Sequence, residues 1–323
     1  MSRARRSALV AALKACITVG CVALMAWYVG PHRLLDALRQ ADPRILFGAV
    51  CLTPISLAVK ITRWWVLARS VDAHIRWRDA AGSYLAGLCL AVITPFASGE
   101  LARGLWFQQR AELTGKVLVD KLLDLTVVAL FTVTGIIWIP GYVPLKIVCA
   151  VMAVVMAGAW SVRRWLGALG MRIGEKLRRP ALVRLCEAVR HIETRVLGTI
   201  VLLAALFFVL FYAQAFVLLK GFAPSAPART LTVFPLITLS TIVPITIGGL
   251  GIREWAAALL LRHFEISDAV AVNAFFMHFI VITFIPGLLG APLVQRLTRL
   301  NAATDAASLS HATPASTTAQ HQA

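Results

Sequence analysis

Charge is what this chain has least of, and negative charge least of all. Only 15% of its 323 residues are Asp, Glu, Lys or Arg, and Asp and Glu together number 15, whereas soluble domains are about a quarter charged. An ordinary soluble domain is thereby excluded. Apolar residues make up 59% of the chain and mean hydropathy is +0.79. They gather in runs close to the roughly 20 residues that cross a bilayer. These runs lack the polar stripe that a soluble helix keeps toward water.

Other absences narrow the chemistry. The six cysteines (Cys16, Cys21, Cys51, Cys89, Cys149, Cys186) include no C-x-x-C pair, and five lie in apolar segments. That pattern points to packing residues and excludes a disulfide frame or a zinc site. The seven histidines are scattered, so neither a metal site nor a cofactor is expected. There is no Walker A motif, so this chain is not expected to hydrolyse ATP. D-x-D, H-E-x-x-H and G-x-S-x-G signatures are also missing, and the chain is not expected to be an enzyme.

What is present is basic. The net charge is +17, and the Lys and Arg residues collect between the apolar runs. In a membrane protein this is the positive-inside signal and an attraction for anionic headgroups at the cytoplasmic face; a nucleic-acid partner is not expected. Eight apolar segments are read at about 8–29, 45–68, 80–97, 117–139, 143–160, 196–219, 232–250 and 270–293. The first is taken as an uncleaved transmembrane helix, because it is too long for a signal-peptide core. Most tryptophans, such as Trp27, Trp64, Trp77, Trp106 and Trp165, fall near segment ends, as in interfacial belts. Residues 30–44 have helical spacing and are expected on the membrane surface.

Two of the runs break in the same way. The first reads Thr94-Pro95-Phe96-Ala97-Ser98-Gly99-Glu100-Leu101-Ala102-Arg103 and the second Val243-Pro244-Ile245-Thr246-Ile247-Gly248-Gly249-Leu250-Gly251-Ile252-Arg253-Glu254. Each has a proline, a glycine four residues later, then Arg and Glu. Paired breaks in corresponding positions of two halves point to a substrate site in a transporter.

Charge also tests the topology. The stretch 161–195 holds nine Lys or Arg against three Glu. If all eight segments crossed, it would lie outside, against the positive-inside rule. If 80–97 and 232–250 instead dip in and return, from opposite faces, the basic loop falls inside. The expected fold is an all-α integral membrane protein with about six full transmembrane helices and two re-entrant broken hairpins in an inverted repeat. It forms one polytopic domain, 1–300, with halves at about 8–139 and 143–295, a basic cytoplasmic loop at 161–195, and a disordered cytoplasmic tail at 301–323. Both termini are placed in the cytoplasm; the oligomeric state is not readable.

Chemistry is expected at the breaks. Backbone freed at membrane depth survives only in protein or beside a water-filled cavity. A new helix is expected near Glu100 and another near Ile252, each turning a positive N-terminus toward the midplane. Gly248, Gly249 and Gly251 let backbone approach a ligand, and Arg103 and Arg253 offer planar forks suited to phosphate. These five residues are the substrate-binding candidates; Pro95, Gly99 and Pro244 make the breaks. Lys60, Arg63, Glu100, Asp120, Asp124 and Glu254 are candidates for lining the cavity or coupling to ions. Arg63 is read as snorkelling to the cytoplasmic face. For Lys60 a cavity and an interfacial position both stand. Asp120 and Asp124 share a helix face, either pairing inside the bundle or sitting wet at the interface. His278 is read as a packing histidine.

On these residues the chain resembles the transmembrane region of lysylphosphatidylglycerol synthetases, also called the flippase-like domain family, over nearly all of 8–295. The carriers are Arg63-Trp64, Pro95 with Gly99-Glu100-Leu101-Ala102-Arg103, Asp120-Lys121-Leu122-Leu123-Asp124, and Pro244 with Gly248-Gly249-Leu250-Gly251-Ile252-Arg253-Glu254. The last is the most specific. Members commonly show Glu-Arg where this chain has Asp120-Lys121, which keeps the signs of charge and loses an arginine fork. The resemblance implies an inner-membrane protein that moves a lipid or lipid-linked molecule between leaflets. The synthetase's soluble catalytic domain has no counterpart in these residues, so aminoacyl-lipid synthesis is not carried over. The alternatives are an integral membrane transferase acting on a polyprenyl-linked lipid, with Asp120 and Asp124 as acid and base, and a non-transporting partner subunit of a lipid-modifying synthase.

Overall fold

The computed structural model of the chain describes residues 27–136, 167–241 and 249–295, with single positions at 19, 20, 23, 24, 154, 158, 162, 165 and 246. The first apolar run, the run 143–160, the tail 301–323, Pro244 and Gly248 lie wholly or largely outside the described residues.

The described chain is helical. Helix α1 (Pro31–Arg39) leads into α2 (Pro43–Arg69), whose start is set by Asp42: its carboxylate accepts the Arg44 N–H at 2.8 Å, and Pro43 occupies the first turn, where its missing N–H leaves nothing unsatisfied. Helix α3 (Trp77–Ile93) follows, then a 3-10 helix over Pro95–Trp106, then α4 (Arg110–Ile136). In the second half α5 (Pro180–Arg190) precedes α6 (Thr194–Phe222). A 3-10 turn, Ala228–Val233, runs into α7 (Phe234–Leu239). After the second break come α8 (Ile252–Leu261) and α9 (Asp268–Phe279), the latter continuing through a π-helical stretch, Ile280–Phe284, to Gln295. Among the described residues three helices are long and apolar enough to cross a membrane: Pro43–Arg69, Thr194–Phe222 and Asp268–Gln295. They match the expected runs 45–68, 196–219 and 270–293. Helix α1 packs against α9, where the Asn273 side-chain amide donates to the Leu34 carbonyl at 2.7 Å.

The two long helices α2 and α6 pack together at the centre. The Gln214 amide of α6 donates to the Ala49 carbonyl and to the Thr53 hydroxyl of α2, both at 2.8 Å, next to the proline at position 54. A buried amide so satisfied fixes the register of two otherwise apolar helices. Trp64 is buried in this core and Trp106 in a small cluster with Ala86, against the interfacial reading. The Trp64 indole donates to the Ser83 hydroxyl at 2.9 Å, tying α2 to α3. Trp27 and Trp165 are exposed, as a belt requires.

The first break is a closed hairpin. Helix α3 stops at Thr94, whose hydroxyl donates to the Leu90 carbonyl and accepts the Gly99 N–H, each at 2.7 Å. The 3-10 arm then runs back along α3: Gly99 lies against Leu90 and Ala91, Arg103 against Gly87, and Trp106 against Gly82. No Cβ fits at Gly99, since it would stand 2.2 Å from the Leu90 carbonyl carbon. The expected α-helix starting near Glu100 is therefore replaced by a 3-10 arm starting at Pro95. At the second break Gly249 comes back against Thr241, and α8 begins at Ile252 as expected.

The basic stretch 161–195 is more than a loop. Residues 167–176 and α5 form a helical hairpin, with Gly167, Gly170 and Gly174 abutting Arg190, Cys186 and Val183. It is docked on α4, where Gly115 abuts the Leu185 carbonyl and the Lys116 ammonium donates to the His191 carbonyl at 2.8 Å. Glycines three and four residues apart, a pattern the sequence analysis does not single out, permit this close helix contact.

Candidate functional site: a charge chain and a cavity

Three elements bring seven charged side chains into one line. On α2, Lys60 and Arg63 share a face. On α4, Asp120 and Asp124 stand one turn apart. On the 3-10 arm, Glu100 and Arg103 do the same. The Lys60 ammonium meets Asp124 at 3.0 Å. Arg63 reaches Asp124 through Nη2 at 2.8 Å and Asp120 through Nε at 2.7 Å. Arg103 reaches Asp120 at 3.2 Å and also pairs with Glu100, which is held in turn by Lys121. The order is Lys60, Asp124, Arg63, Asp120, Arg103, Glu100, Lys121, and the sign alternates at every step. Alternation lets each interior member face opposite charges on both sides, which offsets the high desolvation cost of burying them.

This placement corrects two expectations. Arg63 is fully buried and does not snorkel; two carboxylates within reach hold it inside. Asp120 and Asp124 are buried partners, not interfacial groups. Arg103 is also shut in, with its guanidinium 4.4 Å from the Tyr84 ring centre. It stands behind the cavity wall and is not among the residues that line it, so the structure gives it a bracing position where a ligand contact was expected.

The cavity has a volume of about 350 Å³ and lies between the two breaks. Both ends of the charge chain, Lys60 and Lys121, open into it, as do Asp124 and Glu100. Across from them Arg253 contributes from the start of α8. A shelf of Phe207, Phe208 and Phe211 from α6 forms an apolar side, with the Lys60 ammonium 4.1 Å above the Phe207 ring, a cation–π contact. The π-helical stretch of α9 adds Ile282 and Thr283; such stretches recur at functional sites. The wall is thus charged on one side and aromatic on the other.

At the second break Gly249 and Gly251 have φ of 75° and 85°, which glycine adopts without strain. The buried Glu254 carboxylate accepts the Gly251 N–H at 2.6 Å and caps α8; its other oxygen accepts from Arg253 at 2.8 Å. Glu254 is therefore a cap and a positioning partner for Arg253, and does not line the cavity. Gly249 lines it and Gly251 does not. His278 is buried beside Phe211 and Phe275, with ring centres 4.5 and 6.4 Å away, in keeping with a packing role. Among the described residues no group of three or more His, Cys, Asp or Glu is placed to hold a metal ion.

The sequence reading passed over Lys121 as a site residue and did not find the phenylalanine shelf. Lys121 could have been found by its position beside Asp120. The shelf carries no signal, because every face of α6 is apolar.

Residues 10–290 match the family described as Lysylphosphatidylglycerol synthase TM region. The chain is also 28% identical over 295 residues to a UPF0104 membrane protein of Methanothermobacter thermautotrophicus, covering 80% of this chain and 87% of that one. With long apolar helices, paired helix breaks and a match over most of its length, the chain is a multi-pass membrane protein and belongs to the lysylphosphatidylglycerol synthase TM region family.

Proposed function

We propose that this protein is a flippase-type carrier, moving a lipid or lipid-linked molecule between leaflets of the membrane that holds it. The observation that carries this reading is the cavity between the two breaks, charged on one wall and aromatic on the other. Its volume, about 350 Å³, falls at the small end of ligand sites. A polar headgroup fits while the acyl or isoprenoid tails stay in the bilayer. Support for two related halves comes from spacing: α2 and α6 start at Pro43 and Thr194, and the next elements at Trp77 and Ala228, the same interval apart. Each half then breaks and returns. We take these as re-entrant hairpins of an inverted repeat, entering from opposite faces, with transport by rocking of one half on the other.

A membrane transferase is the weaker reading, because Asp120 and Asp124 are each held by two cations and neither is left free as an acid or base. Reconstitution decides between them. Purified protein in liposomes is expected to accelerate leaflet exchange of a labelled anionic or isoprenoid lipid, and Arg253→Ala to abolish it. Failure to exchange any lipid class, together with turnover of a sugar or phosphate donor, would replace the carrier with the enzyme.

A further inference from the structure

A headgroup held in the cavity while its tails stay in the bilayer needs a gap in the wall between them. Much of the wall is pinned by polar bonds. Gln214 ties α6 to α2, Trp64 ties α2 to α3, and the charge chain ties α2, α4 and the 3-10 arm together. One seam is different. Leu88, Ala91 and Val92 of α3 line the cavity on one side of it, and Ile282 and Thr283 of α9 on the other. Beside them the two helices touch. Gly287 lies against Cys89 and Val92, and a Cβ at Gly290 would stand 2.0 Å from the Leu85 carbonyl oxygen. Among the described residues no side-chain hydrogen bond or ion pair joins 85–92 to 280–290. The same stretch of α9 leaves Ile285, Leu288 and Leu289 exposed, in a helix apolar enough to cross the bilayer. The seam therefore has the cavity on one side and lipid on the other.

The seam also carries a hinge. Pro286 has no N–H to offer the carbonyl four residues back, at Ile282, and its ring crowds that carbonyl. The helix accommodates it with the π-helical stretch, in which the Ile285 N–H reaches back to the Ile280 carbonyl. Prolines and π-bulges are where helices bend sharply. Before the hinge α9 is fastened: Asn273 holds the Leu34 carbonyl, and Phe275 and His278 are buried. Beyond it, residues 285–295 rest on α3 through the two glycines and through Leu293 and Val294, which pack on Ala86 and Trp106.

Resting on the carrier reading above, we propose that the α3–α9 seam is the lateral portal for the apolar tails of the carried lipid, opened by residues 285–295 swinging away from α3 about Pro286. Glycine at 287 and 290 lets the helices close tightly through backbone contact, with no side-chain bond for opening to break. The portal takes a hydrocarbon chain whatever headgroup it bears. It requires that the cargo be reached from within the bilayer and not from water.

The test locks the seam. Gly287→Cys places a thiol opposite the native Cys89. An added Cβ there has only ordinary contacts, 3.5 Å or longer, and lies 3.8 Å from the Cys89 Cα, within disulfide reach. The full chain, with its other cysteines changed to alanine and Thr283→Cys as a reporter inside the cavity, is placed in liposomes and met with two thiol probes. One is a phospholipid carrying a maleimide on its headgroup; the other is a small charged maleimide that enters only from water. Labelling by the lipid probe follows the population of the open state, so oxidising the seam pair is expected to slow it at least about tenfold and to leave the water-borne probe unchanged. Pro286→Ala restores the missing donor and stiffens the hinge. It should slow the lipid probe several-fold with no disulfide involved, and it covers the case in which Gly287→Cys fails to fold. Equal labelling by the lipid probe in locked and unlocked protein, no labelling by it in either, or an unslowed Pro286→Ala overturns the portal. Seam-dependent labelling without leaflet exchange of any lipid sinks the carrier reading alone; leaflet exchange that persists through the lock sinks this inference alone.

Discussion

Arg63 and Asp120 meet at 2.7 Å with both side chains closed off from the surface, at 0% and 1% exposure. They come from different helices, and each has a further partner: Asp124 for Arg63, and Arg103 for Asp120. The pair is the midpoint of a chain of charges that joins α2, α4 and the 3-10 arm.

Breaking that midpoint from one side should be worse than removing it whole. Losing one member of a buried pair commonly costs about 3–5 kcal/mol. Arg63→Met is expected to lower the unfolding midpoint in detergent sharply, and Asp120→Asn less so. In the double variant Asp124 keeps Lys60 and Arg103 keeps Glu100, so its stability should exceed that of Arg63→Met alone. Simple additivity of the two losses would show that the chain is not one unit.

The capping role of Glu254 predicts a graded series. Glutamine keeps an acceptor for the Gly251 N–H and loses the charge beside Arg253; alanine loses both. A lost cap costs about 0.5–2 kcal/mol. Thermal unfolding should rank wild type above Glu254→Gln and Glu254→Ala lowest. Equal losses for the two variants would assign Glu254 to charge alone.

Glycine substitutions separate close packing from mere helix content. Gly99→Ala drives a methyl into the α3 backbone, and the hairpin must open. A loss of stability comparable to overpacking, about 1–3 kcal/mol or more, is expected, along with loss of leaflet exchange. Gly198, inside α6, has nothing within 4 Å of an added Cβ. Gly198→Ala should be neutral or stabilising by up to about 1 kcal/mol. A harmless Gly99→Ala would contradict the antiparallel return of the arm.

Single cysteines test the proposed orientation. Placed at Arg172 or Lys176, in the basic helical hairpin, they should react with a membrane-impermeant maleimide only after the cytoplasmic side is opened. Labelling from the outside would reverse the topology.

The long helices and both breaks were legible because apolar runs, prolines and glycines are local signals. Six of the seven members of the charge chain were legible as well, since a charge within an apolar run stands out. Their pairing was not: Arg63 read as snorkelling because its position near a segment end says nothing about carboxylates sixty residues away. Arg103 and Arg253 looked equivalent, each a lone arginine after a break. Only packing separates them: Tyr84 and two carboxylates enclose Arg103, whereas Arg253 lines the cavity. The 3-10 winding after Pro95 was invisible for the same reason, because it is imposed by the fit of Gly99 and Gly87 against their neighbours and not by propensity.

That winding has a mechanical side. The outgoing leg α3 has 17 residues and the returning 3-10 arm only 12. At about 1.5 Å per residue for an α-helix and about 2.0 Å for a 3-10 helix, both legs are roughly 25 Å long. The arm behaves as a stretched spring matched in length to its partner. Rewound as an α-helix it would shorten by about 6 Å, roughly one helical pitch, and with either end held would draw Glu100, near its middle, along the face of α4 by about 3 Å. A rod that changes length by changing its winding can slide a charged group past its neighbours without a hinge at either end.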